Sequence, residues 1–127
     1  MEQPTYYVVG LRPVRFVPTP QGGLAVLKMN WETGAFEYGN EYLDKVTYGK
    51  DDVEAVSEDE FIQHVESLRA RRLKGEGALY ALYDLVNGME DVAKEQGRPL
   101  TSEEKATIAE LRRRTYALFQ AAHPDPG

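Results

Sequence analysis

The hydrophobic pattern of the chain changes its period near Lys50, and this change most limits the folds open to it. Residues 5–48 form short alternating runs between prolines and glycines, which is typical of β-strands. Residues 57–122 repeat apolar side chains every three or four positions, which is typical of amphipathic helices. A chain of 127 residues is the size of one ordinary domain. We therefore predict a single α+β domain over residues 1–127, ending in a short tail at 123–127.

The strand half predicts an antiparallel meander of four to five strands joined by short turns. The predicted strands are residues 6–9, 14–17, 24–30, 35–38 and 41–48. Prolines flank the first two runs, which therefore favour short or edge strands. Gly34 suits the left-handed residue that closes a hairpin loop between the third and fourth strands.

Both faces of the predicted sheet carry apolar side chains. Tyr6 and Val8 point to one face, whereas Tyr7 and Val9 point to the other. A sheet with one solvated face alternates more cleanly between apolar and polar residues. We therefore expect either that helices cover both faces or that one face receives a partner.

The helical half predicts three helices packed against the sheet. Ser57 with Glu60, and Thr101 with Glu104, have the spacing of capping boxes that start a helix. The predicted helices run from Ser57 to near Gly75 or Gly77, over residues 78–95, and from Thr101 to residue 122. Because about five residues join the last two, we predict an antiparallel helix hairpin. Asn87 and Gly88 should weaken or bend the middle helix.

The charge lies unevenly along the chain. The net charge is −6, yet the first fifty residues hold five basic and five acidic side chains. The acidic excess therefore belongs to the helical half, which would repel phosphate backbones and attract basic partners. The chain has no cysteine, which excludes disulfides and thiolate sites. The N-terminus predicts no signal peptide, and no apolar run predicts a membrane span, so we expect a cytoplasmic protein without membrane contact.

The sequence offers no catalytic signature. His64 lies one helical turn after Glu60, but two ligands are too few for a closed metal site. His123 lies in a proline-rich tail, which is a poor place to preorganise chemistry. We therefore predict no catalytic residue, no metal and no cofactor. An alternative is a ligand-binding or enzymatic pocket between sheet and helices, with His64 and Glu60, or a tyrosine, as the acid and base.

Two arginine runs raise a nucleic-acid alternative. The runs consist of Arg69, Arg71 and Arg72, and of Arg112, Arg113 and Arg114. Adjacent helical residues are rotated by ~100°, so each run spreads around its helix instead of forming one basic stripe. Because the chain also lacks a basic footprint, we predict that these arginines pair internally with acidic side chains and that nucleic acid is not the partner.

The remaining interpretation is protein recognition. We predict a non-enzymatic regulatory module, such as an inhibitor, an immunity-like protein or an accessory factor, that binds a protein partner with basic character. Tyrosine and tryptophan are common at recognition surfaces. The predicted contact residues are Tyr7, Trp31, Phe36, Tyr38, Tyr42, Tyr48, Asp51, Asp52 and Glu54. Self-association through the helical stripes, giving a homodimer, is left open.

Overall fold

The protein was analysed as a computed structural model that describes residues 3–49 and 52–126. The strands are β1 (Thr5–Val9), β2 (Arg12–Pro18), β3 (Leu24–Met29), β4 (Phe36–Tyr38) and β5 (Val53–Val56). The helices are α1 (Glu41–Tyr48), α2 (Glu58–Arg72), α3 (Ala78–Glu95) and α4 (Ser102–Ala122). The predicted α+β class is therefore confirmed. No helix among these residues is both long and apolar enough to cross a bilayer.

The strands form one antiparallel sheet in the order β4-β3-β2-β1-β5. The first four strands are a meander, and β5 then pairs with the free side of β1, with Tyr6 opposite Val56. Gly34 closes the β3–β4 turn with a φ of 75°, as the hairpin pattern predicts. A Cβ at Gly34 would also lie 2.8 Å from Leu73 Cδ1, so close packing reinforces the need for glycine.

The first face of the sheet packs against α2 and α4. Leu27, Met29 and Phe36 from the strands meet Phe61 and Val65 from α2 in one buried cluster. The ring of Phe36 stacks on that of Phe61 at a centroid distance of 5.7 Å. α3 packs on α2 and α4 as an outer layer.

The second face of the sheet is covered by α1. Val14, Phe16 and Val26 are buried there, and Tyr42 and Val46 of α1 pack against them. Of the two arrangements open to a sheet with two apolar faces, the chain adopts the one in which its own helices lie on both sides.

The prediction of a last strand over residues 41–48 is wrong, because this segment is α1. Tyrosine, valine and threonine favour strands, which made the segment resemble one. Tyr42 and Val46 are four residues apart, so a helix places both on one face, toward the sheet. The fifth strand is instead β5 (Val53–Val56), which lies between the predicted strand half and the predicted helical half. The need to cover the second face therefore outweighs the local strand preference.

α3 and α4 agree with their predicted bounds, whereas α2 ends at Arg72, before the predicted stop near Gly75 or Gly77. Both capping boxes form: Ser57 with Glu60 begins α2, and Thr101 with Glu104 begins α4. α3 continues without interruption through Asn87 and Gly88 to Glu95. That these two residues weaken or bend the helix stays a prediction.

Candidate protein-binding surface

Two of the predicted aromatic contacts lie on the second face of the sheet. Tyr7 and Tyr42 are half-buried and pack against the apolar cluster beneath α1. The Tyr7 ring also lies 5.0 Å from that of Phe16. Much of the surface of both rings is therefore buried within the protein.

Trp31 lies between two guanidinium groups at the β3–β4 turn. Arg12 and Arg72 each stand 4.7 Å from the indole ring. Arg12 also lies 5.9 Å from the ring of Tyr42, so it connects these two predicted contact residues. Such cation–π contacts stabilise the turn and leave only part of the indole open to a partner.

The other aromatic predictions are scattered. Phe36 is 4 % exposed and belongs to the core, so it offers no surface to a partner. Tyr38 is 53 % exposed, and its hydroxyl lies 3.4 Å from the carbonyl oxygen of Pro126. Tyr48 is 77 % exposed at the end of α1. The predicted aromatic residues therefore do not form one continuous surface.

The predicted acidic contacts lie near β5. Asp52 and Glu54 are exposed, and Asp52 has a φ of 57°. Its carbonyl oxygen accepts a hydrogen bond of 2.7 Å from the Gly10 amide, which ties the start of β5 to the β1–β2 turn. Asp51 lies outside the described residues. The binding roles of these acids stay predictions.

The His64 and Glu60 side chains have separate structural partners. A ring nitrogen of His64 lies 2.8 Å from the Leu11 carbonyl oxygen. Glu60 accepts a hydrogen bond of 3.0 Å from the Ser57 amide in the capping box. Within residues 3–49 and 52–126, no group of three or more potential ligands is placed to hold a metal.

Most of the arginines in the two runs are engaged with carboxylates. Arg69 is fully buried against Glu66, and Arg71 pairs with Asp91 of α3 at 3.0 Å. The remaining pairs join Arg112 to Glu90, and Arg113 to Asp59 and Glu110. This pairing follows the predicted internal use of the runs and leaves little free positive charge for a phosphate backbone.

The outer face of α3 carries an apolar stripe that residues 3–49 and 52–126 leave exposed to solvent. Leu85 is 50 % exposed and Val92 is 45 % exposed. At ~100° per residue, these two side chains share a sector of about 60° with Ala81 and Gly88. This α3 stripe (Ala81, Leu85, Gly88 and Val92) lies opposite the buried side of the helix. Isolated exposed apolar residues are ordinary, but a contiguous stripe is typical of an interaction site.

Gly88 forms the floor of a groove of about 430 Å³. Its lining residues are Asp84, Leu85, Gly88, Met89, Val92 and Glu104. A Cβ built at Gly88 would meet nothing within 4 Å. Glycine in a helix interior costs about 1 kcal/mol relative to alanine, so this residue destabilises the helix with no packing reason inside the chain.

Carboxylates line the groove and the adjacent side of α3. Hydrogen bonds from Arg98 and from the Thr101 amide lower the pKa of Glu104 to about 2, so this rim group is ionised at neutral pH. Asp84 and Glu95 are exposed, and neither has an ion pair within residues 3–49 and 52–126. The α3 groove (its lining residues together with Ala81 and Glu95) is therefore apolar at its floor and negative on the side of Asp84 and Glu95, whereas Arg98 pairs with Glu104 at 2.8 Å.

The α3 groove was not predicted from the sequence. Leu85 and Val92 fall outside the inward stripe of α3 at the spacing of a second stripe, and this signal was present in the sequence. For Gly88, the sequence predicted only that it would weaken or bend the helix. The lack of any neighbour for its Cβ could not be known before the helices were placed.

Comparison with protein-family models, with curated proteins and with solved structures finds no match.

Proposed function

We propose that this chain is a non-enzymatic protein-binding module that docks on another protein and regulates it. The observation that carries the proposal is the exposed apolar stripe of α3 around Gly88. About half of the surface of Leu85 and of Val92 is exposed to water. Covering these side chains with a partner would contribute roughly 25 cal/mol of binding free energy for each Å² of apolar surface removed from solvent.

The stability cost of Gly88 supports the same function. A glycine that the interior of the chain does not need allows another backbone or a bulky side chain to approach the helix closely. The exposed Tyr48 and the partly exposed Trp31 and Tyr42 are proposed as additional contacts outside the α3 groove. We propose that the protein acts in the cytoplasm, because a chain without cysteine has no disulfide that would need an oxidising compartment.

Affinity capture with matched variants tests the proposal. The tagged full-length chain is expressed in the cells that encode it, as wild type, as Gly88→Leu and as Ala117→Leu. Leucine at position 88 would project into the α3 groove, and its Cβ would meet no described atom within 4 Å. Ala117 is exposed on α4, so the second variant adds the same side chain elsewhere. We expect one stoichiometric partner with wild type and Ala117→Leu, and its loss with Gly88→Leu.

Two results would reject the proposal. One is the recovery of the same proteins at the same yield by all three forms. The other is the absence of any stoichiometric partner of the wild type. Circular dichroism of each purified variant checks that a lost partner does not reflect a lost fold.

A further inference from the structure

We infer that the occupant of the α3 groove is a basic amphipathic helix of a partner protein. Its apolar side chains would insert around Gly88, and its lysines or arginines would lie over the carboxylates of the rim. This inference rests on the proposed protein-binding function and names the chemistry of the partner.

The shape of the groove favours a helix as the occupant. The α3 stripe extends from Ala81 to Val92 along three turns of α3, a length of about 16 Å. Helices dock in such grooves through anchors at positions i, i+3, i+4 and i+7. The groove volume of about 430 Å³ accommodates one or two large apolar anchors beside Gly88.

The charge around the stripe favours a basic occupant. Asp84 and Glu95 lie beside the stripe on the outer side of α3, within a sector of roughly 20°, and neither has an ion pair among the described residues. Lys94 is the only basic residue of α3, and it projects more than roughly 90° away from the stripe. Asp91 and Glu104 also lie nearby, but Arg71 and Arg98 pair with them. A helix with apolar anchors and flanking lysines is complementary to both the apolar stripe and the carboxylates beside it.

The same charges disfavour a second copy of the chain. A two-fold axis near Gly88 would bring the outer carboxylates of both α3 helices into one interface. Asp84 and Glu95 have no cation within the described residues to neutralise them. Like charges placed together across an interface suppress that association.

Peptide titration of the full chain tests the inference. The probe is a fluorescent helical peptide of about 18 residues, with leucines at the anchor spacing and lysines beside them. A matched peptide carries glutamates in place of the lysines. We expect the lysine peptide to bind at least about tenfold more tightly than the glutamate peptide in fluorescence anisotropy at low salt, and salt to weaken its binding.

Variants of the chain locate the binding. Gly88→Leu should weaken the lysine peptide at least about tenfold by filling the site of a central anchor. Asp84→Asn with Glu95→Gln should weaken it about fivefold, since each exposed ion pair contributes modestly. The matched double variant, Asp44→Asn with Glu32→Gln, removes the same charge from exposed residues elsewhere and should change affinity less than about twofold. Amide NMR shifts should cluster between Ala81 and Glu95.

The possible failures of the two proposals are distinguishable. Equal binding of both peptides, no binding of the lysine peptide, or shifts outside the α3 groove would overturn the basic helix as occupant. If capture still finds a partner that depends on Gly88, the protein-binding function stands with a different occupant. Sedimentation that shows a wild-type dimer, absent in Gly88→Leu, would instead identify a second copy and overturn this inference.

Discussion

At the scale of single residues, the most consequential side chain is Arg69. Its guanidinium donates to the Gly34 carbonyl oxygen at 2.9 Å, to Glu66 at 2.9 Å and to Gln120 at 2.8 Å. Tyr83 donates its hydroxyl to the same Glu66 carboxylate at 3.2 Å. The fully buried pair of Glu66 and Arg69 therefore connects the β3–β4 turn with α2, α3 and α4.

Replacing Arg69 with methionine should destabilise the protein by about 3–5 kcal/mol, because it leaves Glu66 charged and unpaired in the interior. Urea unfolding followed by circular dichroism measures this change. Arg71→Met is the control, since Arg71 forms exposed pairs, and should cost less than about 1 kcal/mol. A loss below about 1 kcal/mol for Arg69→Met would contradict the structural role of the pair.

The same variant should depend on pH in a defined direction. Burial raises the pKa of Glu66, and Arg69 opposes that rise, so removing Arg69 raises the pKa further. When the pKa of a carboxyl is higher in the folded state than in the unfolded state, the folded state binds the proton at a higher pH. A falling pH therefore stabilises the folded state relative to the unfolded state. The deficit of Arg69→Met should therefore shrink as the pH falls from about 7 toward the ordinary value of 4.5. A deficit that grows over this range would contradict the account.

At the scale of elements, α1 and α3 each depart from what local propensity favours. α1 is a helix of 8 residues with no fully buried side chain and no side-chain cap. Isolated helices of this length are marginal in water, so packing of Tyr42 and Val46 on the sheet must stabilise it. α3 keeps an interior glycine and an exposed apolar stripe, and both features are the basis of the proposed docking site.

Two glycine substitutions compare a glycine that the fold requires, Gly34, with one that the fold does not require, Gly88. Gly88→Ala should stabilise the protein by about 1 kcal/mol, because alanine favours the helix and the new Cβ meets no atom. Gly34→Ala should destabilise it by about 1–3 kcal/mol, because φ is 75° and the Cβ would lie 2.8 Å from Leu73 Cδ1. Urea midpoints of the two variants give the comparison. A destabilising Gly88→Ala would mean that the chain itself requires this glycine.

At the scale of the whole molecule, the C-terminal tail closes the fold onto the sheet. Asp125 pairs with Arg15 of β2, and it accepts a hydrogen bond of 3.1 Å from Gln120 of α4. The guanidinium of Arg15 also lies 4.6 Å from the ring of Phe36. The segment after α4 therefore joins the two halves of the chain, in addition to the packing of α2 on the sheet.

Asp125→Ala should destabilise the protein by about 1–3 kcal/mol, because the half-buried Arg15 would lose its carboxylate partner. Chemical denaturation of the full chain measures this loss. Asp84→Ala removes an exposed helical carboxylate without an ion pair and should leave stability within about 0.5 kcal/mol. Equal effects of the two substitutions would indicate that the tail contributes no specific contact.

The parts of the fold that depend on local pattern could be predicted from the sequence. Ser57 and Thr101 mark helix starts because a capping box involves residues only three positions apart. Gly34 marks its turn because the left-handed conformation is a property of one residue. The candidate site was predicted less well: Phe36 is buried in the core, whereas the α3 groove was not identified.

The sequence by itself determined the α+β class, the starts of α2 and α4 and the acidic character of the helical half, because these follow from period, capping and composition. The tertiary structure decided three other features: α1 forms in place of a strand, β5 pairs with β1, and the outer face of α3 stays uncovered. Each of these depends on which surfaces meet across distant parts of the chain. A local pattern shows that a side chain is apolar, but only the assembled fold shows whether the chain itself covers it.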